Sequence, residues 1–335
     1  MSGIRKSNTK YQSDVIVDLI KQFGFKHIAL NPGASYRGLH DSLVNHGEND
    51  PPMMLCTHEK IAVQMAHGYA RATGEPMIAI VHNLVGLLHA PMGVYYAYLD
   101  RAIDDALTGE LDGLATAPLN KESLQAAKVP FIDHTAVLKS KAAHREPMTL
   151  FVAKTLKVFF LTRHISFRQI PDAITKELIL DALPLCDLYL RQLGIAQPHV
   201  AVAALNPHGG EQGLFGTDEM ETIGPAVQMA KDKGWNVTGP VPADSVFHQT
   251  YEGRYDGVLS LYHDQGHIAA KTLDFHGTVS LTMGLKFLRT SVDHGTAFDI
   301  AGQGIAQERG MVESIIASGR WSKMVKDRLE LTPFT

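Results

Sequence analysis

Three histidines each stand a few residues beyond a short apolar run that reads as a buried strand. His164 follows Val158–Thr162, His208 follows Val200–Leu205, and His263 follows Val258–Tyr262. In a parallel α/β sheet the ligand site lies outside the carboxyl ends of the strands, so three strand-end imidazoles can converge there. Neutral imidazole offers a ring nitrogen to a metal, and the expectation is a divalent-metal site. His208 lies in Asn206-Pro207-His208-Gly209-Gly210-Glu211, where proline fixes the backbone and the glycines allow close approach to a ligand. His263 is followed by Asp264, a carboxylate that can orient its ring. The chain has 17 histidines, and a single one is more often a hydrogen-bonded or surface residue than a ligand. Three at strand ends outweigh that bland reading.

The elements that must position them alternate apolar runs with amphipathic stretches, the pattern of an α/β protein with a largely parallel sheet. Helices are expected over Ser13–Gln22, Ile61–Ala72, Asp172–Leu193 with a kink at Pro184, and Glu219–Lys233 closed by Gly234. Further strands are expected over His27–Leu30, Met77–Val81 and Gly113–Ala115, and Lys139–Pro147 reads as a solvated loop. At 335 residues the chain exceeds one simple core. Its 45% hydrophobic and 20% charged residues are those of an ordinary globular protein, and a net charge of -4 argues against nucleic acid or an anionic membrane as the main partner. Cys56 and Cys186 alone cannot build a disulfide framework and fit a reducing compartment. There is no apolar stretch of membrane-spanning length, and residues 1–10 are polar, so a cytoplasmic protein is expected.

From about Ile103 to the end the sequence resembles the 4-hydroxythreonine-4-phosphate dehydrogenase family, whose fold is related to isocitrate and isopropylmalate dehydrogenases. The resemblance is carried by the segments Thr116–Lys121, His134-Thr135, His164, Leu205–Glu211, Gly239–Asp244, Tyr262–Gly266 and Arg289–Ala297. It implies an α/β fold with dehydrogenase-like α/β/α lobes. It also implies that His164, His208 and His263 bind a divalent metal such as Zn, Mg, Mn or Co, in a site shared across a homodimer. The family's substrate contacts fall on His134, Thr135, Lys271, Ser280 and Arg289. Lysine as a point charge and arginine as a bidentate fork both suit a phosphate. Ser280 stands where the family usually has asparagine, and Ala136 where an acid is usual.

The loop from Asp293 to Gly302 resembles the one that surrounds the adenosine of the dinucleotide in the wider fold family, with Gly295, Thr296, Ala297 and Asp299 as NAD or NADP contacts. No Gly-x-Gly-x-x-Gly fingerprint occurs, so a dinucleotide would not sit on an ordinary Rossmann site.

Residues 1–101 tell another story. The segments Leu30–Ser35, Thr57–Lys60, His67–Gly74 and Tyr95–Arg101 resemble part of the pyrimidine-binding domain of thiamine-diphosphate enzymes, with Glu59 at the position that contacts the aminopyrimidine. The bland reading of Glu59 is an acid at a helix start. The Gly-Asp-Gly segment that holds the diphosphate in that family is absent, so thiamine diphosphate is not expected as a cofactor. The chain thus divides into a partial α/β segment, 1–102, and a metal- and NAD-dependent dehydrogenase-like region, 103–335.

The resemblance to the dehydrogenase family implies metal-dependent, NAD-linked oxidation and decarboxylation of a small phosphorylated hydroxy acid, with Lys121 or Asp244 moving a proton. The run Gly266–Lys271 favours threonate or erythronate 4-phosphate over the 4-hydroxythreonine 4-phosphate of pyridoxine biosynthesis. Two alternatives are a thiamine-diphosphate-dependent lyase fragment and an inactive hybrid that keeps only binding.

Overall fold

The computed structural model describes residues 10–82, 90–120, 131 and 133–333. The chain divides into two compact units, residues 1–102 and 103–335.

In the first unit, strands β1 (Ile28–Leu30), β2 (Met53–Leu55) and β3 (Ile78–Ile80) pair in parallel in the order β2-β1-β3. With them go helices α1 (Gln12–Gln22), α2 (Arg37–Asn45) and α3 (Glu59–Thr73). Val17 and Ile20 of α1, Leu43 of α2, and Ile28 and Leu30 of β1 bury one another. The left-handed Gly74 ends α3. Sequence periodicity locates α1 and α3 to within two residues but misses β2, a strand whose side chains are only half-buried or exposed. Helix α4 (Pro91–Thr108) follows, and the division between the units falls within it.

Among the described residues the second unit is built on eight strands: β4 (Gly113–Thr116), β5 (Ala143–Ala153), β6 (Leu156–Phe160), β7 (Val200–Ala203), β8 (Val237–Val241), β9 (Gly257–Ser260), β10 (Val279–Leu285) and β11 (Leu288–Val292). Their order is β4-β11-β10-β5-β6-β9-β7-β8. The sheet is mixed, which corrects the expectation of a largely parallel one. The pairs β10/β11, β10/β5 and β5/β6 run antiparallel. The cause is local: only Lys154 and Thr155 join β5 to β6, and only Lys286 and Phe287 join β10 to β11. A two-residue connection can reverse a chain but cannot cross it over. Neither turn carries the Asn-Gly or Asp-Gly signal that would announce a hairpin.

Helices α5 (His134–Ala142), α6 (Ile170–Ala173), α7 (Lys176–Gln192), α8 (Gly224–Asp232), α9 (Ala243–Tyr251), α10 (His263–Leu273) and α11 (Arg309–Asp327) complete this unit. Two further expectations fail here. Lys139–Pro147 is not a loop: it is the end of α5 and the largely exposed start of β5, which meets β10 at Ala143 and, past an irregularity, again from Met148. The helix read over Asp172–Leu193 is broken, because Thr175 leaves helical geometry and its side chain caps the new start by accepting from Leu178 N–H at 3.1 Å. Pro184 is tolerated inside α7.

Side chains alternate across a sheet. One face carries Leu150, Val152, Phe159, Val202, Leu259, Val279 and Leu281 against α7, α8 and α11. The other carries Phe151, Val158, Phe160, Ala201, Ala203 and Val258 against α9 and α10. Followed towards β4, this second face turns polar. Thr149 lies opposite Thr282, which lies opposite Arg289; Ser280 lies opposite Ser291, which lies opposite Thr116. Directly opposed residues share a face, so these side chains form one polar strip.

Helix α10 lies close on the sheet. A Cβ at Gly266 would stand 2.6 Å from the Phe160 ring, 2.7 Å from Val158 and 2.8 Å from Ser260 Oγ. Gly266→Ala should therefore destabilise the fold by about 1–3 kcal/mol, the usual cost of overpacking, seen as a lower melting temperature. An unchanged melting temperature would show that the helix is free to move away.

Candidate active site

Strands β6, β9 and β7 are neighbours and all run parallel. Their carboxyl ends therefore share one edge of the sheet, and His164, His263 and His208 follow those three ends in turn. The rings of His164 and His263 come within 5.9 Å, centroid to centroid, and both line a cleft of about 240 Å³ with Arg163, Phe167, Tyr262 and Asp264. His263 Nδ1 lies 2.6 Å from Asp264 Oδ1, a pairing that fixes the tautomer and leaves Nε2 for a ligand. His208 is exposed, with Phe215 as its ring neighbour at 6.3 Å. Among the described residues no three or more His, Cys, Asp or Glu side chains are gathered to hold a metal ion. One chain thus brings two of the three imidazoles together and presents the third from the next strand end.

Two buried side chains that sequence reasoning missed hold these ends in place. Glu219 Oε1 accepts from Leu205 N–H and Asn206 N–H, both at 2.7 Å, and its Oε2 accepts from Asn206 Nδ2 at 2.9 Å. That anchors a loop in which His208, Glu211 and Gln212 take left-handed backbone conformations, at a cost of roughly 1–2 kcal/mol per non-glycine residue. Strain of this kind collects at functional sites. Gln265 accepts from Leu261 N–H and donates to the Ala204 carbonyl, each at 2.7 Å. It thereby ties the ends of β9 and β7 to the start of α10.

The polar strip holds the anion-binding candidates. Arg289 is buried, and its Nε donates to Thr116 Oγ1 at 2.9 Å. Its other nitrogens lie 3.4 Å from Thr282 Oγ1 and 3.4 Å from His134 Nδ1. No carboxylate among the described residues is within ion-pair distance of it. Burial lowers the guanidinium pKa to about 10, with the charge of Asp133 opposing the shift, so the group stays cationic at neutral pH. His134, the first residue of α5, is buried, and burial together with Arg289 lowers its pKa to about 4. Thr135 is half-buried beside it, and Asp133 caps the helix by accepting from Ala136 N–H at 2.8 Å. A buried cation surrounded by hydroxyls and a neutral imidazole is a receptor for an anion.

Helix α10 links the two halves. His263, His267 and Lys271 are spaced by four residues and so share one stripe. The rings of His263 and His267 stack at 3.8 Å, and His267 packs edge-on to Phe151 at 4.3 Å, on the sheet face that becomes the polar strip. Burial, then the charge of His263, lowers the His267 pKa to about 4. Lys271 Nζ is 3.4 Å from Asp293 Oδ2. The i, i+4, i+8 spacing was a signal in the sequence for His267. Asp293 entered the sequence reading only as the first residue of the loop assigned to the dinucleotide.

The remaining candidates lie apart. Ser280 is half-buried in the strip. Lys121 lies outside the described residues. Asp244 is exposed in the first turn of α9, after edge strand β8, across the sheet from β11 and β4. Gly295, Thr296, Ala297 and Asp299 lie in the loop after β11. Ala297 is left-handed, Gly295 has open space around it, and Asp299 is exposed.

Because folded His134 has a pKa near 4 against the ordinary 6.5, the unfolded chain takes up a proton that the folded one excludes. The contribution of this buried neutral ring is complete above pH 6.5 and is lost as pH falls towards 4. Denaturant unfolding over that range should show a smaller acid loss in His134→Asn than in the parent. Equal losses would rule out a buried neutral imidazole.

The family described as pyridoxal phosphate biosynthetic protein PdxA matches residues 58–317. The domain described as thiamine pyrophosphate enzyme, N-terminal TPP binding domain, matches residues 12–103. A Halalkalibacterium halodurans protein provisionally named D-threonate 4-phosphate dehydrogenase is 52% identical over 304 residues, covering 88% of this chain and 91% of its own. One of the same provisional name from Symbiobacterium thermophilum is 48% identical over 258 residues, 77% of each chain. Among solved structures, the 4-hydroxythreonine-4-phosphate dehydrogenase of Klebsiella pneumoniae aligns with a TM-score of 0.65 at 38% identity, over 74% of this chain and 78% of that one. With a family match over most of its length and relatives that are named as dehydrogenases, this chain is an oxidoreductase and belongs to the PdxA family.

Proposed function

We propose that residues 103–335 oxidise the hydroxyl of a small acid phosphate of the threonate 4-phosphate, erythronate 4-phosphate or 4-hydroxythreonine 4-phosphate type, with NAD or NADP as acceptor, and that loss of carbon dioxide follows. The observation that carries this reading is Arg289: a buried guanidinium in a polar strip, with hydroxyl and imidazole neighbours and no carboxylate among the described residues within ion-pair distance. Thr116, Thr282 and His134 leave it poised for an anion that they do not themselves supply. Lys271 adds a second positive charge from α10, and Ser280 a hydroxyl.

The donor set at the strand ends fits a divalent cation. His164 and His263 lie side by side, His263 has its Nδ1 engaged by Asp264, and His208 comes from the adjacent strand. Such a cation, with a nicotinamide beside it, supplies acidity to the substrate hydroxyl and a place for the hydride. His134 and His267, kept neutral by burial, can each accept a hydrogen bond there. Gly295, Thr296, Ala297 and Asp299 are assigned to the dinucleotide, since open backbone around Gly295 and an exposed carboxylate suit a ligand that lies along the loop. His208 and Asp244 follow β7 and β8, at the opposite end of the sheet order from the β11 strand of Arg289, and in this reading they act across a homodimer. Proton transfer is assigned to Asp244 or Lys121.

Steady-state assays with the three acid phosphates, NAD or NADP and an added divalent metal should show nucleotide reduction with at least one of them. No reduction with any combination defeats the reading. Arg289→Lys should raise KM for the phosphorylated acid by on the order of tenfold or more, because an ammonium cannot engage two phosphate oxygens at once. The unphosphorylated acid should be much less affected.

Metal analysis of purified His208→Ala and His263→Ala should show loss of bound divalent ion with melting temperature nearly unchanged. Retention of one equivalent by both variants excludes the three-histidine assignment.

A further inference from the structure

Asp293 opens the loop that follows β11, and the reaction proposed above leaves it without a role. Its side chain is only 15% exposed, and a buried carboxylate persists only when something compensates its charge. Its charged neighbours are basic and come from the helix packed on the sheet. Oδ2 lies 3.4 Å from Lys271 Nζ and 3.8 Å from His267 Nδ1, both on α10. The same oxygen is buried and has no directed hydrogen bond among the described residues. That geometry separates Asp293 from the structural aspartates nearby. Asp133 accepts from Ala136 N–H and Asp274 from Gly277 N–H, as caps and turns require, and Asp274 also pairs with Arg309 at 2.7 Å. Oδ2 of Asp293 has only its charge contacts to Lys271 and His267.

Its place in the chain gives that compensation a direction. Arg289 and Ser291 alternate on one face of β11, and Asp293, in the bend just after the strand, meets the helix α10 that packs on the same face. A cation, a hydroxyl and an anion thus follow one another from the strand into the bend. Lys271 reaches that anion from the last turn of α10, with its ammonium 5.0 Å from the Phe275 ring centroid. A lysine stem has four rotatable carbons, and without a partner its charge would sample many positions. The ammonium has three donors, so one carboxylate can hold it and still leave donors for a ligand.

We propose that Asp293 is a positioning residue that fixes the Lys271 ammonium at the end of the strip marked by Ser280 and Ser291, ready to receive an anionic group of the substrate. The inference rests on the reading of Lys271 as a substrate anchor. Asp293 itself touches no substrate and acts only through Lys271.

A double-mutant cycle read by kinetics tests this in the full-length protein. Lys271→Met should raise KM for threonate 4-phosphate. Asp293→Asn, nearly isosteric, should raise it by on the order of tenfold with a much smaller change in kcat. The double variant should be no worse than Lys271→Met alone, and Asp293→Glu should recover part of the loss. Calorimetric binding of inorganic phosphate reads the same pair without turnover: affinity should fall in each single variant and no further in the double. Additive losses in the double variant would overturn the proposal, as would an Asp293→Asn variant with unchanged KM and phosphate affinity alongside an impaired Lys271→Met. If Lys271→Met itself changes neither quantity, the anchor reading fails and this inference falls with it. A parent that binds phosphate through the pair but turns over no substrate defeats the reaction assigned above and leaves the pairing intact.

Discussion

The close seating of helix α10 on β6, which a hydrogen at position 266 permits and any side chain would obstruct, decides where most of the candidate chemistry lies. At that separation the stripe His263, His267, Lys271 is half-buried, and the Phe151 and Phe160 rings come within 4.3 and 4.8 Å of His267. Gln265 reinforces the seating from the helix start by binding the ends of two strands at once. The same contact therefore sets the height of one end of the site, where His263 meets His164, and of the other, where Lys271 meets Asp293.

The second constraint is electrostatic. A sheet face that is apolar under α9 and α10 becomes hydroxylated under α5 and carries a buried arginine. Burying an unpaired guanidinium costs stability unless hydrogen bonds surround it. Here the hydroxyl of Thr116, with those of Thr282 and the His134 ring at longer range, limits that cost without neutralising the charge. The structure retains an unneutralised positive charge, which is what an anionic substrate requires. Arg289 stands on a strand and Lys271 on a helix, so the proposed ligand would meet the two charges from different elements.

The first unit follows a different logic. Among the described residues, its three parallel strands and helices α1 and α2 close a small core of their own around Val17, Ile28, Leu30 and Leu43. The match to the thiamine pyrophosphate enzyme domain ends at residue 103, next to the division between the two units, while the PdxA match begins inside this unit at residue 58. Both similarities therefore bear on residues 58–102.

The sequence by itself determined the α/β class, the main helices and the positions of the three histidines, because helical and strand periodicities are local and a histidine after an apolar run needs no distant partner to be noticed. It also determined that Arg289 and Lys271 could bind an anion, through their chemical type. It did not show that β5, β6, β10 and β11 pair antiparallel, since the turns lack hairpin signals and half of β5 is polar. It mistook that half for a loop for the same reason: Ala143–Pro147 is a largely exposed part of β5 that meets β10 at Ala143 and, past an irregularity, again from Met148. Only the tertiary structure placed β6, β9 and β7 side by side, set Asp293 against Lys271, and put Thr116, Thr282 and His134 around Arg289. Those contacts join residues as many as 173 positions apart. No local pattern encodes them, because they exist only once the sheet order is fixed.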